Sequence, residues 1–308
     1  MKERERGFAL IAVLLVMTVV GILGAEFAYS MRLEASAVRA YKESIVAGHL
    51  AEAGFEQARR ELAADAPWAA LDDDGTLTFY TRERAALPRL PRVGVALGGG
   101  QYTYRITDEA ARINVNTATP ERIDRLLQEL GIDKRERDVI GDSIQDWRDA
   151  NEDHRLNGAE SDDTYLKLPV PYRARNANLE SVAELLQIKG VMPLLFHGAE
   201  GRPGLADVLT VKTPGQVNLN TAGPQVLRAL GFSDAEITEV VQSRRETPYA
   251  SVPPRFAGRG LVVVTQTFRI QAEGLIDGRS RARLTAIVQK RMQTGAPALV
   301  VVEWSGVQ

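Results

Sequence analysis

The hydrophobic pattern changes once along the N-terminal part of the chain, and both halves predict helix. Residues 8–25 carry no charge and are almost entirely apolar. At about 1.5 Å per residue they form a helix of roughly 27 Å, long enough to cross a bilayer core. Further along, apolar positions recur at three- and four-residue spacings, as at Met31 and Ala35, and no proline precedes Pro67. The pattern predicts one helix from about residue 8 to 64, apolar in its first half and amphipathic in its second.

Alternating apolar and polar residues after this helix predict a small antiparallel sheet. The strand-like segments are 77–80, 102–106, 262–272, 284–288 and 299–304. A loop containing Asp277-Gly278 separates two of them, which is typical of a β-hairpin. The middle of the chain, 114–215, consists mainly of predicted helices and loops. Because strands lie on both sides of it, this block is predicted to be an insertion.

We therefore expect an α+β fold, in which the long N-terminal helix packs on a small antiparallel sheet and a large α-helical domain is inserted. The predicted division is a leader at 1–7, a membrane-spanning part of the helix at 8–30, an α/β body at 31–113 and 216–308, and a helical insertion at 114–215.

The chain also contains an internal repeat. The segment Ile113-Asn-Val-Asn-Thr-Ala-Thr-Pro120 matches Val217-Asn-Leu-Asn-Thr-Ala-Gly-Pro224, and each copy leads to a Leu-Gly pair, at Gly131 and Gly231. Proline suits the first turn of a helix, and glycine suits the position just after its end. The repeat predicts a strand, a capped helix, a tight turn and a second helix, twice over.

The charged residues that precede the apolar run predict how the chain is processed. Basic residues at 2, 4 and 6 are followed by Gly7, and the apolar run begins at Phe8. Basic flanks remain on the cytoplasmic side, so the rest of the chain is expected on the other side of the membrane. A cleaved secretory signal is the alternative, but it needs small residues after the run, where Glu26 and Phe27 stand. Cleavage between Gly7 and Phe8 would retain the apolar helix.

Composition argues against several functions. The chain has 308 residues, a formal net charge of -2 and no cysteine, which excludes thiol catalysis and gives no basic excess for nucleic acid. Its three histidines are scattered and match no zinc spacing. Helix hairpins can bind nucleic-acid backbones, but two of the three here carry aspartate beside the glycine. We expect neither catalysis nor nucleic-acid binding.

An acidic segment between residues 142 and 163 is the candidate metal site. Asp149, Asn151, Asp153 and Glu160 occupy the first, third, fifth and twelfth positions of a calcium-loop register. His154 stands where such a loop needs glycine, so an irregular calcium loop is expected and not an EF-hand. The predicted ligand set is Asp149, Asn151, Asp153, Asn157, Glu160, Asp162 and Asp163. The alternative is a solvated acidic loop balanced by nearby arginines.

Together these features resemble the K-type minor pseudopilins of type II secretion. The resemblance rests on the Gly7-Phe8 junction, the two Asn-x-Asn-Thr-Ala motifs, the acidic loop and the segment 168–173. In that family a prepilin peptidase cleaves after the glycine and the new terminus is methylated. The fifth mature residue is usually glutamate in related pilins, whereas here it is Ala12. In the family that glutamate is thought to pair with the amine of the subunit ahead, so Ala12 suits a subunit with nothing ahead of it.

The resemblance also implies where the protein works. It implies a tip subunit of a periplasmic pseudopilus, anchored in the inner membrane by a single span, which helps initiate assembly and limit filament length during export of folded proteins. The implied partners are the I-type and J-type minor pseudopilins, the major pseudopilin, the prepilin peptidase and the inner-membrane assembly platform, with calcium as cofactor. A type IV pilus or competence tip protein is the alternative, and a membrane-tethered calcium-dependent enzyme is a weaker one.

Overall fold

The computed structural model describes the backbone of residues 2–72, 74–199, 201–293 and 296–307, and their side chains except at 2–9, 292–293 and 296–297. The helices are α1 Lys2–Leu62, α2 Pro120–Glu129, α3 Lys134–Arg148, α4 Pro193–His197, α5 Leu205–Val208, α6 Pro224–Ala229 and α7 Asp234–Glu246. The strands are β1 Trp68–Leu71, β2 Leu77–Tyr80, β3 Val95–Leu97, β4 Gly100–Asp108, β5 Ile113–Asn114, β6 Leu209–Thr210, β7 Val217–Asn218, β8 Leu261–Val262, β9 Thr267–Ile276, β10 Arg279–Gln293 and β11 Ala296–Val307.

The C-terminal half of α1 packs on one face of a five-stranded antiparallel sheet, with strand order β11-β10-β9-β4-β3. Small residues on α1 allow a close approach, and Ala47, Ala51 and Ala58 are fully buried there. At Gly274 on β9 an added β-carbon would lie 1.8 Å from the Ala47 carbonyl oxygen, so this position admits only glycine. The expected α+β architecture is confirmed.

The hairpin between β9 and β10 forms where the sequence predicts it. Ile276 pairs with Arg279, and the two residues between them, Asp277 and Gly278, have φ angles of 49° and 72°. Two consecutive positive φ angles define the turn type that matches strand twist, which explains the Asp-Gly pair. The strand predicted at 262–272 does not form as one element, however, because residue 262 belongs to β8 and β9 runs from Thr267 to Ile276.

The insertion is larger than the sequence suggests. Strand β4 ends at Asp108 and its neighbour β9 begins at Thr267, so the insertion is the segment 109–266. One hydrophobic core within it runs from Ile113 to Val263. The predicted boundary at 215 falls inside this core, since the second copy of the repeat packs on the first through α2 and α6. Residues 216–263 therefore belong to the insertion and not to the sheet.

Both copies of the repeat fold as predicted. Helices α2 and α6 begin with proline, and Gly131 and Gly231 adopt φ angles of 82° and 83° in the turns that follow. Each unit is then closed by a pair of parallel strands, β5 with β6 and β7 with β8. This closure joins residues far apart in sequence, so the local pattern did not reveal it.

The second asparagine of each motif binds a distant backbone segment like a paired strand. Asn116 accepts from the Leu179 N–H and donates to its carbonyl, both at 2.9 Å. Asn220 makes the same two contacts with Tyr249, at 2.8 Å and 3.0 Å. One amide group thus satisfies both the backbone donor and the backbone acceptor of the residue that it binds, and so closes each repeat.

Two buried acids join the insertion to the sheet. Asp108 accepts from Asn218 Nδ2 at 2.7 Å and from the Thr221 hydroxyl at 2.6 Å, and burial raises the pKa of its carboxyl. Glu109 is fully buried and pairs with Arg269 at 2.8 Å and Arg112 at 2.9 Å. The insertion thus attaches to the sheet through charged, directional contacts at the point where the chain leaves it.

Candidate calcium loop and membrane stem

The acidic loop starts from the C-terminal half of α3, where buried residues hold the helix in the core. Trp147 is 2 % exposed and meets the ring of Tyr165 edge-on at 5.3 Å between centroids. On the same helix Asp142 and Asp146 are four residues apart, so their carboxylates lie on one face. Neither was among the predicted ligands, although this helical spacing extends to Asp149 and is visible in the sequence.

Asp146 on α3 is fully buried and holds the loop through hydrogen bonds. It accepts hydrogen bonds from the Arg155 guanidinium at 3.0 Å and from the Ala159 N–H at 3.0 Å. Burial raises the pKa of the Asp146 carboxyl, and these donors oppose the shift. Gly158 is required beside it, because an added β-carbon would lie 1.8 Å from Asp146 Oδ2. The loop is thus closed over an aspartate that already has donors.

The first predicted ligands form successive turns on the surface. Asp149 Oδ1 accepts from the Asn151 side-chain amide at 2.9 Å, and Asn151 Oδ1 accepts from the Asp153 N–H at 2.8 Å. Asp149 Oδ2 also accepts from Arg155 at 2.9 Å. These carboxyl and amide oxygens stand at alternate residues, but they bond to the loop itself.

Glu160 differs from the other acids of the loop. Its side chain is 1 % exposed, and neither carboxylate oxygen has a hydrogen-bond partner among the described residues. Burial, followed by the negative charges of Asp146, Glu152 and Asp149, raises the pKa of Glu160 to about 7. A buried carboxylate without donors is costly unless a cation compensates it. This residue therefore fits a bound cation best.

The remaining predicted ligands point in different directions. Asn157 donates to Asp142 at 3.0 Å, Asp163 accepts from the Glu160 N–H at 2.9 Å, and Asp162 is exposed. No group of three or more His, Asp or Glu side chains is arranged to hold a metal ion among the described residues. The seven predicted residues are thus brought into one loop but are not gathered around one point.

Only some of the arginines expected to balance the charge of the loop pair with its acids. Arg155 bonds Asp146 and Asp149, and Arg173 lies 4.0 Å from Asp162. Arg148 instead donates to the carbonyls of Val115 and Ala118 in the first Asn motif. The alternative of a charge-balanced, solvated loop therefore accounts for Asp146 and Asp149 but leaves Glu160 without a counter-charge.

Helix α1 extends far beyond the body. One helix among the described residues, from Leu10 to Leu62, is long and apolar enough to cross a membrane, and its most apolar window has no buried residue. Ala12 is exposed within that window. The side chains of Gly7 and Phe8 lie outside the described residues, so the predicted cleavage junction stays a prediction.

Comparison with known proteins relates this chain to one family. Residues 104–200 match the family described as Type II secretion system (T2SS), protein K. The protein of that name from Pseudomonas aeruginosa is 28% identical over 82% of this chain and 76% of its own length. The Klebsiella pneumoniae protein is 25% identical over 96% and 95%. A Pectobacterium carotovorum protein is 32% identical, over 35% of this chain and 37% of its own length.

A solved structure shares the fold. One chain of the crystal structure of the GspK-GspI-GspJ complex from the enterotoxigenic Escherichia coli Type 2 Secretion System matches with a TM-score of 0.59 and 17% identity. The match covers 89% of this chain and 98% of that one.

A long apolar stem that continues into a helix packed on an antiparallel sheet defines a pilin-like subunit, and the helical insertion distinguishes this one from a minimal pilin. Residues 104–200 carry the domain of type II secretion system protein K, and the likeness of nearly the whole chain to proteins of that name supports a minor pseudopilin of the K type.

Proposed function

We propose that this protein is the tip subunit of a type II secretion pseudopilus, where it helps initiate assembly and limits filament length with I-type and J-type partners. The observation that carries the proposal is the combination of an exposed apolar stem with a large insertion above the sheet. The stem can pack laterally with other stems, whereas the insertion adds bulk at the distal end of the subunit. The crystal structure of the GspK-GspI-GspJ complex, one chain of which shares this fold, supports this choice of partners.

Co-purification tests the partner assignment directly. The full-length chain in detergent is mixed with full-length I-type and J-type pseudopilins, with an unrelated single-span membrane protein as the matched control. A complex with both partners and none with the control is the expected result. Failure of the wild-type chain to enter any such complex contradicts the proposal.

The type IV pilus and competence alternative is not favoured, because the related proteins carry type II secretion names.

The proposal includes a membrane orientation. The stem is the single membrane span, the basic residues before it stay in the cytoplasm, and the sheet and insertion lie in the periplasm. A protease added to spheroplasts should then remove the sheet and insertion, whereas the same protease added outside inverted inner-membrane vesicles should leave them intact.

The proposal also includes calcium in the acidic loop. Glu160 supports it, since both its oxygens lack donors and hard carboxylate oxygens are preferred calcium ligands. Glu160 would hold the ion together with acids and amides of the same loop, among them Asp149, Asn151 and Asp153. Bound calcium would neutralise the negative charge and fix the loop against α3. We assign it a structural role and propose neither catalysis nor nucleic-acid binding for the chain.

A further inference from the structure

Strand β11 is the outermost strand of the sheet, and its outer edge is open. It pairs with β10 on one side, and no backbone hydrogen bond joins its other side to any described residue. The strand spans 12 residues, and Glu303 is the only charged residue in it. Soluble proteins protect such edges with charges, short strands or a covering segment, because open edges recruit other strands. Apart from Glu303, Pro297 and two irregularities in the pairing with β10, this long and mostly apolar edge has no such protection, which indicates a surface that is covered in an assembly.

The backbone geometry shows which groups of β11 point outward. The Lys290 N–H donates to the Gln266 carbonyl at 2.7 Å, on the side of β10 that faces β9. Leu299 lies opposite Lys290, so this pair does not exchange hydrogen bonds and Leu299 directs its own N–H away from β10. Val301, two residues on, has the same orientation. These outward groups form the pattern that an added strand would complete.

The outer edge of β11 lies between helix α1 on one face of the sheet and the insertion on the other. On the inner side Trp304 meets the ring of Phe55 of α1 edge-on at 5.0 Å between centroids. On the outer side the Glu303 carboxylate bonds Lys212 of the insertion at 2.9 Å, next to a cavity of about 180 Å3 between sheet and insertion. An incoming strand would therefore contact the stem helix, the sheet and the insertion together.

The exposed apolar surface of the edge continues into that of the stem. Val301, Trp304 and Val307 are 40%, 46% and 41% exposed, and Val307 lies 3.6 Å from the position of a β-carbon on Gly48 of α1. On the N-terminal side of Gly48 the stem exposes further apolar residues, including Tyr41. A subunit that covers the stem thus lies directly beside the end of β11.

We propose that the outer edge of β11 pairs with an extended strand of the neighbouring pilin-like subunit in the assembled tip complex. The open backbone groups select a β-strand as the occupant, and the continuous apolar surface selects the subunit that packs on the stem. A second copy of this chain is a poorer occupant, because the proposed function places one copy at the tip, beside subunits of another type. This inference rests on the proposed function, since it locates a contact within that complex.

Site-specific cross-linking tests the contact. The chain contains no cysteine, so Val301→Cys gives a single attachment point for a benzophenone-maleimide. The labelled full-length chain is mixed with the I-type and J-type pseudopilins in detergent, irradiated, and the cross-linked peptides are identified by mass spectrometry. Arg105→Cys is the matched control, since it is exposed on β4 in the interior of the same sheet. We expect cross-links from position 301 to one strand of a partner, several-fold above those from position 105.

A second variant tests the backbone. Val301→Pro removes one outward N–H without removing a bond to β10, whereas Val301→Thr keeps that N–H and the branched shape. The proline variant should lose complex several-fold more than the threonine variant, while both free chains keep the wild-type melting temperature. Cross-links from position 301 to a second copy overturn the inference, as does full complex formation by a folded Val301→Pro chain. If the wild-type chain forms no complex, the proposed function fails and this inference fails with it.

Discussion

At the scale of single residues, Glu160 shows why a pattern of acids identified the loop but not its arrangement. The calcium-loop register placed Glu160 at the twelfth position, and burial now separates it from the exposed Asp162. The sequence could not distinguish these two acids, because they lie two residues apart in a segment without periodicity. Asp142 and Asp146 could have been found from their helical spacing on α3. The position of Arg155 could not, since its contacts depend on how the loop closes.

Replacing Glu160 by glutamine tests the calcium proposal, because the effect of the substitution on stability should have opposite signs without and with calcium. Without calcium, Glu160→Gln should stabilise the protein at pH 7.5 by on the order of 1–3 kcal/mol, because it removes a buried charge that lacks donors. With calcium the same variant should be less stable than wild type, since a ligand is lost. Thermal unfolding in EDTA and in excess calcium measures both. Asp162→Asn is the control, and similar behaviour of the two variants contradicts the assignment.

The same residue predicts a pH dependence for the calcium-free protein. The pKa of Glu160 is raised from 4.5 to about 7 in the folded chain. A raised carboxyl pKa means that the folded state binds the extra proton, so its contribution to stability is present below pH 4.5 and is lost as pH rises to about 7. Wild type in EDTA should therefore lose more stability across this window than Glu160→Gln. Equal slopes for the two chains argue against the burial of an unpaired Glu160.

At the scale of elements, the sequence predicted the helices and turns better than it predicted which strands pair with one another. Proline at the start and glycine after the end defined α2 and α6, and Asp277-Gly278 defined the hairpin, because these signals act within a few residues. The pairing of β7 with β8 was missed, since Val217 and Leu261 are distant in sequence and each strand has only two residues. The pairing of β7 with β8 places the residues after 215 in the insertion. No local pattern in the sequence could have shown that the predicted boundary at 215 was wrong.

The arginines on the second helix of each repeat are expected to hold the Asn motifs in place. Arg244 is 3 % exposed and donates to the carbonyls of Leu219 and Ala222 at 3.1 Å and 2.8 Å. Burial lowers the pKa of this guanidinium to about 10, so it stays charged at neutral pH. Arg244→Met should cost about 2–4 kcal/mol in denaturant unfolding, because two buried carbonyls lose their donor. The equivalent Arg148→Met should cost less, since Arg148 is less buried; equal costs contradict this reasoning.

The close contact between α1 and β9 makes a second prediction at this scale. Gly274→Ala should destabilise the body by roughly 1–3 kcal/mol or more, because its β-carbon would overlap the backbone of α1 at Ala47. Gly99→Ala is the matched control, since nothing lies within 4 Å of a β-carbon there. Urea unfolding of both variants measures the difference. A Gly274→Ala protein as stable as Gly99→Ala would show that the helix can shift without cost.

At the scale of the whole molecule, Ala12 connects the stem to the place of the subunit in a filament. It is exposed on the apolar part of α1, where a glutamate would need a partner charge. Ala12→Glu should leave cleavage of the leader unchanged but reduce secretion and the yield of the tip complex. Secretion assays and co-purification in detergent measure these effects, with Ala12→Gly as the uncharged control. Normal secretion and normal complexes in Ala12→Glu contradict the role of this position at the tip.

The adjacency of Asp108 and Phe268 has a consequence for how such a subunit can be built. These residues face each other on neighbouring strands, so the whole insertion starts and ends about 5 Å apart, the distance that a simple hairpin turn spans. The strands therefore need no rearrangement to carry either a short turn or an entire domain at this point. Size at the distal end and lateral packing along the stem are set by separate parts of the chain. A subunit can change its cap while it keeps its fit within the fibre.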